Sequence, residues 1–294
     1  MATYQQWVAG ARPRTLFAAV APVVIGTAAA AQHSEPSYGI AILAAVVALS
    51  LQVGVNYAND YSDGIRGTDD ERVGPVRLVG QRLAVARNVK AAAFLSFGFA
   101  AVTGLALVAL SEAWWLLPIG LGSIWAAWTY TGGDKPYGYR GLGELFVFVF
   151  FGLVATLGTM YAQTAALSWF GLAAAVGVGA IASAILVVNN LRDIPTDAES
   201  GKRTLAVRLG DAGTRRLWLG LIAVSVLAVG VMALWDVWAL AGLLSLVVVA
   251  GAVRVVTGGT QGRGLVPVLG STGRYELAYA VAVLAGIVAS RSLA

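Results

Sequence analysis

Nine stretches of this chain stay apolar for long enough to cross a lipid bilayer, near residues 15–32, 38–58, 90–110, 113–131, 144–164, 169–191, 214–234, 236–257 and 275–291. About 20 apolar residues, each rising 1.5 Å along a helix, cover the roughly 30 Å of hydrocarbon. In that medium the backbone has to satisfy its own hydrogen bonds, so the runs are expected as helices. Composition agrees, with 58% hydrophobic residues, 12% charged residues and a mean hydropathy of +0.76 over 294 residues. No water-soluble extension of domain size is left over. The expected fold is an all-α integral membrane protein, a single transmembrane domain over 1–294.

The basic residues orient this arrangement. With the N-terminus inside, Arg12 and Arg14 precede the first span, and Arg66, Arg72, Arg77, Arg82, Arg87 and Lys90 follow the second. Lys135 and Arg140 follow the fourth span, Arg192, Lys202, Arg203, Arg208, Arg215 and Arg216 the sixth, and Arg254, Arg263 and Arg274 the eighth. Only Arg291 of the 20 basic residues falls on the other side. Cytoplasmic loops carry the Lys/Arg excess, so this asymmetry predicts a cytoplasmic N-terminus and an outside C-terminus. Trp114, Trp115, Trp169, Trp235 and Trp238 mark the opposite ends as an interfacial belt. The first run, with its alanines at 28–31, has features of a cleavable signal peptide, but its length favours a retained span.

Composition also excludes whole chemistries. Without cysteine there are no disulfides, thiolate metal sites or cysteine nucleophiles, and the single histidine, His33, cannot build a histidine metal cluster. The net charge of +5 is accounted for by the inner loops, so nucleic acid is not an expected partner.

Two polar stretches interrupt the apolar chain, at 56–77 and 189–208, and they hold or adjoin nine of the fifteen acidic residues. Asn56, Asp60 and Asp63 fall at i, i+4 and i+7, which places them on one face of a helix. Asn189, Asp193 and Asp197, beside Asn190, fall at i, i+4 and i+8. Each set aims an amide and two carboxylates one way. Crowded carboxylates repel unless a cation sits among them, and hard oxygen donors suit magnesium, which completes its octahedron with water and phosphate. Two magnesium ions bridged by a diphosphate would engage both stretches. Arg66, Arg72, Arg77, Lys202 and Arg203 are nearby donors for phosphate oxygens.

The stretches follow the second and sixth spans, and their tails, GQRLAVAR at 80–87 and GKRTLAVRLG at 201–210, echo one another. A four-helix internal repeat about an axis along the membrane normal is therefore expected. It would bring the two acidic sets together around a central cavity open to the cytoplasmic side. Gly64 and Gly67 either let the first stretch turn back over that site or simply end a helix, and Pro195 is expected to bend or interrupt the sixth span. A phosphate-binding loop at 201–204 is excluded, because Thr196 stands where its first glycine would be.

The stretch N-x-x-N-D-Y-x-D from Asn56 to Asp63, with R-D-x-x-x-D from Arg192 to Asp197 and GKRTLAVRLG, resembles the UbiA superfamily of intramembrane prenyltransferases. The segment GDKPYGYRGLGE at 133–144 and the opening RPRTL at 12–16 look like its menaquinone branch. The chain departs from the superfamily pattern at Gly67, where a third aspartate is usual; the next acid is Asp69.

The resemblance implies transfer of a polyprenyl group from a long-chain polyprenyl diphosphate to 1,4-dihydroxy-2-naphthoate, with loss of CO2, at the cell membrane. It assigns Asn59, Asp63, Asp193 and Asp197 to the magnesium ions and places Asp60 in the same catalytic motif. Lys135, Tyr137, Tyr139 and Arg140 are then candidates for holding or deprotonating the naphthoate, or simply anchor the fourth and fifth spans. The donor tail would run outward past Phe146, Phe148, Phe150 and Phe151, or these aromatic residues simply pack between helices. Rival readings are the same fold with another acceptor, such as 4-hydroxybenzoate, haem or a phosphorylated sugar, and a cation-coupled transporter. An alcohol phosphotransferase is disfavoured, since Asp63-Gly64-Ile65-Arg66 lacks the D-G-x-x-A-R opening.

Overall fold

The computed structural model describes residues 2–67 and 76–293. Among these residues every regular element is helical: α1 (Tyr4–Gly10), α2 (Phe17–His33), α3 (Tyr38–Ile65), α4 (Ala86–Ser111), α5 (Leu116–Thr129), α6 (Gly143–Val147), α7 (Ala155–Thr164), α8 (Trp169–Glu199), α9 (Leu205–Met232), α10 (Leu246–Thr257) and α11 (Val266–Leu293). A π-helical stretch, Phe148–Val154, joins α6 to α7, so that Gly143–Thr164 is one apolar rod.

A 3-10 stretch, Val237–Ser245, likewise leads into α10, and with the rod Val237–Thr257 seven of the described helical rods are long and apolar enough to cross a membrane. Two of the nine expected spans are shorter apolar helices, α2 with 17 residues and α5 with 14. α2 begins only at Phe17 because Pro13–Thr15 form a 3-10 turn, and α5 begins only at Leu116 because the chain turns through Trp114 and Trp115 first. The chain is a multi-pass membrane protein, and its exterior has the apolar character a lipid contact requires: Leu95 is 75% exposed and Val247 79%.

α8 is the central element. Of its apolar stretch 78% is buried, against 17 to 39% in the other six spans. Its small residues allow this: Gly179 faces Gly152 of the π-helical stretch so closely that a Cβ on either would lie 2.7 or 2.8 Å from the other's Cα. Around α8 pack α2, α9 and α11, while α3 pairs with α4. Pro195 does not interrupt α8, which runs on to Glu199. The ring sits within four residues of the end of the helix, where few further intrahelical bonds remain to be broken.

Residues 56–65 and 189–199 of the two acidic stretches form the C-terminal ends of α3 and α8. The exposed tryptophans Trp114, Trp115, Trp169, Trp235 and Trp238 lie at the opposite helix ends.

Candidate active site

At the end of α3 the chain reverses and lays residues 77–80 back over its last turns. Gly64 makes the approach possible, since a Cβ there would meet the Val79 side chain at 2.5 Å. The Asp60 carboxylate clasps the returning strand, accepting the backbone N–H of Leu78 at 2.7 Å and of Val79 at 3.0 Å. Arg77 is thereby held over Asp63, its Nη2 3.6 Å from the carboxylate. Asn59 and Asp63 face the interior, Asn59 accepting a hydrogen bond from the Thr131 hydroxyl at 2.7 Å.

The second acidic stretch arrives from α8. Lys202, just beyond that helix, places its ammonium 3.9 Å from Asp63 and 3.9 Å from Asp197. Carboxylates from residues 134 positions apart thus share one buried cation. Tyr139 completes this group: its hydroxyl donates to Asp63, and Lys202 Nζ stands 4.7 Å from its ring. The backbone N–H of Arg203 donates to the Tyr139 carbonyl at 2.9 Å, tying the loop before α6 to the loop after α8.

These residues form the polar end of a cavity of about 480 Å³. Its body is apolar and runs between α2, α3, α4, α5 and the Gly143–Thr164 rod, past Leu51, Gly104, Phe150 and Val154, as far as Leu107 and Leu117 beside the α4–α5 turn. A charged head and a long hydrocarbon tail would both find their surroundings here.

A model of the UbiA prenyltransferase family matches residues 19–263, which include both acidic stretches. The chain belongs to the UbiA prenyltransferase family. It is 56% identical to the 1,4-dihydroxy-2-naphthoate octaprenyltransferase of Mycobacterium tuberculosis, over 96% of this chain and 97% of that protein. It is 39% identical to the enzyme of the same name from Escherichia coli, over 82% and 80%. A UbiA homologue from Aeropyrum pernix K1 has the same fold, with a TM-score of 0.68 at 17% identity, covering 95% of this chain and 99% of that one. A homologue from Archaeoglobus fulgidus, solved with GPP and Mg2+, superposes with a TM-score of 0.65 at 15% identity over 95% and 99%.

In this UbiA-family cavity the structure assembles Asn56, Asn59, Asp63, Arg77, Tyr137, Tyr139, Asn189, Asn190, Asp197 and Lys202. The α3 face turned inward is Gln52, Asn56, Asn59 and Asp63, so Asp60 lies off it and faces the returning segment at Leu78. Asp193 is also turned away from the lining. Arg192 grips it with two bonds of 2.7 Å and donates to Asn189 at 2.9 Å. Arg66 is exposed and donates to the carbonyls of Thr131 and Gly133, closing the loop after α5. Arg203, Lys135 and Arg140 are exposed and outside the lining, and Arg72 lies outside the described residues.

Tyr137 donates to the Ala126 carbonyl at 2.9 Å and stacks on Phe146, and burial pushes its phenol above the ordinary value. Of the four phenylalanines expected along the donor tail, Phe146, Phe150 and Phe151 line the cavity and Phe148 does not.

The donor set fits magnesium in kind. Asn59, Asp63 and Asp197 offer hard oxygens to one space, and among the described residues no group of three acids converges, so phosphate and water oxygens would complete the coordination. Sequence reasoning missed Arg12, Thr15 and Gln52 as lining residues, and Glu144, whose Oε1 accepts from Asn190 at 2.9 Å. The opening RPRTL was the available signal for the first two.

Proposed function

We propose that this chain transfers a long-chain polyprenyl group from polyprenyl diphosphate to 1,4-dihydroxy-2-naphthoate, with loss of CO2, giving the reduced (quinol) form of demethylmenaquinone. One domain over residues 1–294 carries the reaction, crossing the cell membrane nine times with the acidic ends on the cytoplasmic side. Supporting this is one observation above others: Asp63 and Asp197 converge on Lys202 at the head of a deep apolar cavity. The names of the relatives choose the acceptor.

Asn59, Asp63 and Asp197, with Asp193 if Arg192 releases it, would hold two magnesium ions. Magnesium, when bound, neutralises the diphosphate and stabilises the charge that grows on it as it leaves. Arg77 and Lys202 bind the phosphate oxygens and act most strongly where the transition state places charge. The carbon–oxygen bond breaks with its electron pair going to the diphosphate, the acceptor ring carbon that bears the carboxylate attacks the allylic cation, and CO2 leaves with its bonding pair returning to the ring. The apolar walls exclude water, which would otherwise capture that cation. Tyr139 orients Asp63 through its hydroxyl.

The test is mass spectrometry of the products made by purified protein with magnesium, a polyprenyl diphosphate and competing acceptors. Prenylated naphthoquinol is expected, absent in Asp63→Ala and Asp197→Ala. Preference for 4-hydroxybenzoate would replace the acceptor, and solute flux without any prenylated product would replace the activity.

A further inference from the structure

We infer that Asn190 selects the aromatic acceptor by accepting a hydrogen bond from its free phenolic hydroxyl, and that Glu144 is the positioning residue that turns the Asn190 carbonyl oxygen toward the cavity; this rests on the reaction proposed above.

Two consecutive asparagines of α8, Asn189 and Asn190, line the cavity. They precede Asp197 by eight and seven residues, roughly 10–12 Å along the helix. Beyond them the α8 wall continues as Leu186, Ile185 and Ala182, so the two amides stand between the charged head and the apolar body. Neighbours of opposite charge hold them in opposite senses. Arg192 Nη2 donates to Asn189 Oδ1 at 2.9 Å, and a guanidinium has no acceptor, so it fixes the oxygen of that amide. Asn190 Nδ2 donates to Glu144 Oε1 at 2.9 Å, which leaves Asn190 Oδ1 without a hydrogen bond among the described residues.

Glu144 is held in place for this contact. It is buried at the start of the Gly143–Thr164 rod, where the Ser183 hydroxyl donates to its backbone carbonyl at 3.1 Å and ties the rod to α8. Its Oε1 takes the Asn190 amide, and its Oε2 is buried without a hydrogen-bond partner among the described residues. An acid favours a helix N-terminus, but an exposed one would do so without the cost of burial. The buried carboxyl is explained by what it orients.

Asn190 Oδ1 is an acceptor and complements a donor. Diphosphate and carboxylate oxygens are acceptors too, and the prenyl tail has no polar hydrogen, so of the two proposed substrates only the hydroxyls of the aromatic acceptor can donate to it. In 1,4-dihydroxy-2-naphthoate the 1-hydroxyl is ortho to the carboxylate and bonds to it within the molecule, whereas the 4-hydroxyl is free. The 4-hydroxyl is also meta to the ring carbon that bears the carboxylate. Its contact with Asn190 therefore governs binding and orientation, not the nucleophilicity of the reacting carbon.

The experiment is calorimetric titration of the purified full chain in lipid nanodiscs. The probes are 4-hydroxy-2-naphthoate, its hydroxyl-free counterpart 2-naphthoate, and farnesyl diphosphate with magnesium. The unsubstituted protein is expected to bind the hydroxylated acid about tenfold more tightly than 2-naphthoate. Asn190→Leu should abolish that preference while 2-naphthoate and farnesyl diphosphate stay within about twofold. Glu144→Met should reproduce the loss, and Glu144→Gln, which keeps an oxygen for the Asn190 amide, should recover most of it. Combining Asn190→Leu with Glu144→Met should cost no more than Asn190→Leu alone, because the two act as one unit. In turnover the acceptor KM should rise about tenfold, with kcat, donor KM and the magnesium midpoint unchanged. Unchanged farnesyl diphosphate binding certifies folding; where Asn190→Leu does not fold, the contrast between Glu144→Met and Glu144→Gln carries the test.

A hydroxyl preference that survives Asn190→Leu overturns the assignment, as does equal weakening of 2-naphthoate. A shifted magnesium midpoint would make Asn190 a metal ligand instead. Glu144→Gln as poor as Glu144→Met would reduce Glu144 to a charge at the end of the rod. If the unsubstituted protein makes no product from 1,4-dihydroxy-2-naphthoate while the hydroxyl preference and its loss both hold, the proposed acceptor falls and the hydroxyl subsite stands.

Discussion

The Asp60 carboxylate accepts the backbone N–H of Leu78 at 2.7 Å, and through this bond the end of α3 fixes the strand that carries Arg77. Asp60 therefore acts on the site at one remove. Hydrogen bonds to an ionised acceptor contribute about 1.5–3 kcal/mol each, enough to decide where a short returning segment lies.

Asp60→Ala is expected to release residues 77–79 and raise the donor KM about tenfold or more, with the magnesium concentration for half-maximal rate unchanged. Asp63→Asn should shift that magnesium midpoint. Steady-state kinetics over a magnesium series separate the two, and a shared shift would make Asp60 a ligand instead.

Lys202 is expected to matter in both the free and the loaded site. Without substrate it offsets repulsion between Asp63 and Asp197; with substrate it is a phosphate donor. Removing one preorganised donor of developing charge typically costs about 100- to 1,000-fold in rate. Lys202→Met should fall in that range, measured as kcat at saturating diphosphate, and Lys202→Arg should retain more. A change confined to acceptor KM would contradict this role.

Much of the site was legible in the sequence, and the parts that were not share a cause. Helical spacing brings acids to a face, but Asn59 and Asp60 are adjacent, and periodicity alone does not decide which looks inward. The answer lies in the N–H groups of Leu78 and Val79, eighteen and nineteen residues on. Asp193 likewise has the right spacing, yet its own neighbour Arg192 clasps it. Basic residues at a membrane boundary look alike in sequence: Arg66 closes a backbone turn, while Arg12 lines the cavity. The starts of α2 and α5 were not legible, because the apolar runs begin at residues 15 and 113, two and three residues before the helices do.

Tyr137 should contribute no inflection to the pH–rate profile below pH 10. Burial raises its phenol above the ordinary value of 10, so it remains protonated throughout the working range. Stability tied to that burial is complete below pH 10 and is lost only as pH rises through the elevated value. Tyr137→Phe should keep the profile shape while losing the bond to the Ala126 carbonyl. Tyr139→Phe, which removes a donor from Asp63, should lower kcat about tenfold or more. Loss of an inflection below pH 10 in Tyr137→Phe would disprove the first statement.

Gly152→Ala should destabilise the fold by about 1–3 kcal/mol. Its Cβ would lie 2.7 Å from the Gly179 Cα, in a crossing where both neighbours are backbone and neither can rotate away. The helix must move instead, and Phe150, Phe151 and Val154 on the same rod line the cavity. Thermal unfolding in detergent should show a lower midpoint, and added donor diphosphate should recover part of it by mass action. An unchanged midpoint would mean that the π-helical stretch is free to shift.

The depth of the apolar body should set donor length. Gly104 lines the cavity eighteen residues along α4 from Ala86, about 27 Å by helical rise. An added Cβ there would touch only Val47, at 3.8 Å, so the position tolerates a side chain and leaves the helix packing intact. Gly104→Phe should therefore fill the passage without unfolding the protein, blocking long tails and sparing short ones. In competition between geranyl diphosphate and a long-chain polyprenyl diphosphate, the ratio of kcat/KM should move toward the short donor by tenfold or more, with acceptor KM unchanged. Gly158→Phe, where the nearest atom to an added Cβ is Leu116 at 4.0 Å, should discriminate in the same direction but only among the longest donors. Equal loss for every donor would show that the tail leaves the cavity by another route, between the helices and into lipid.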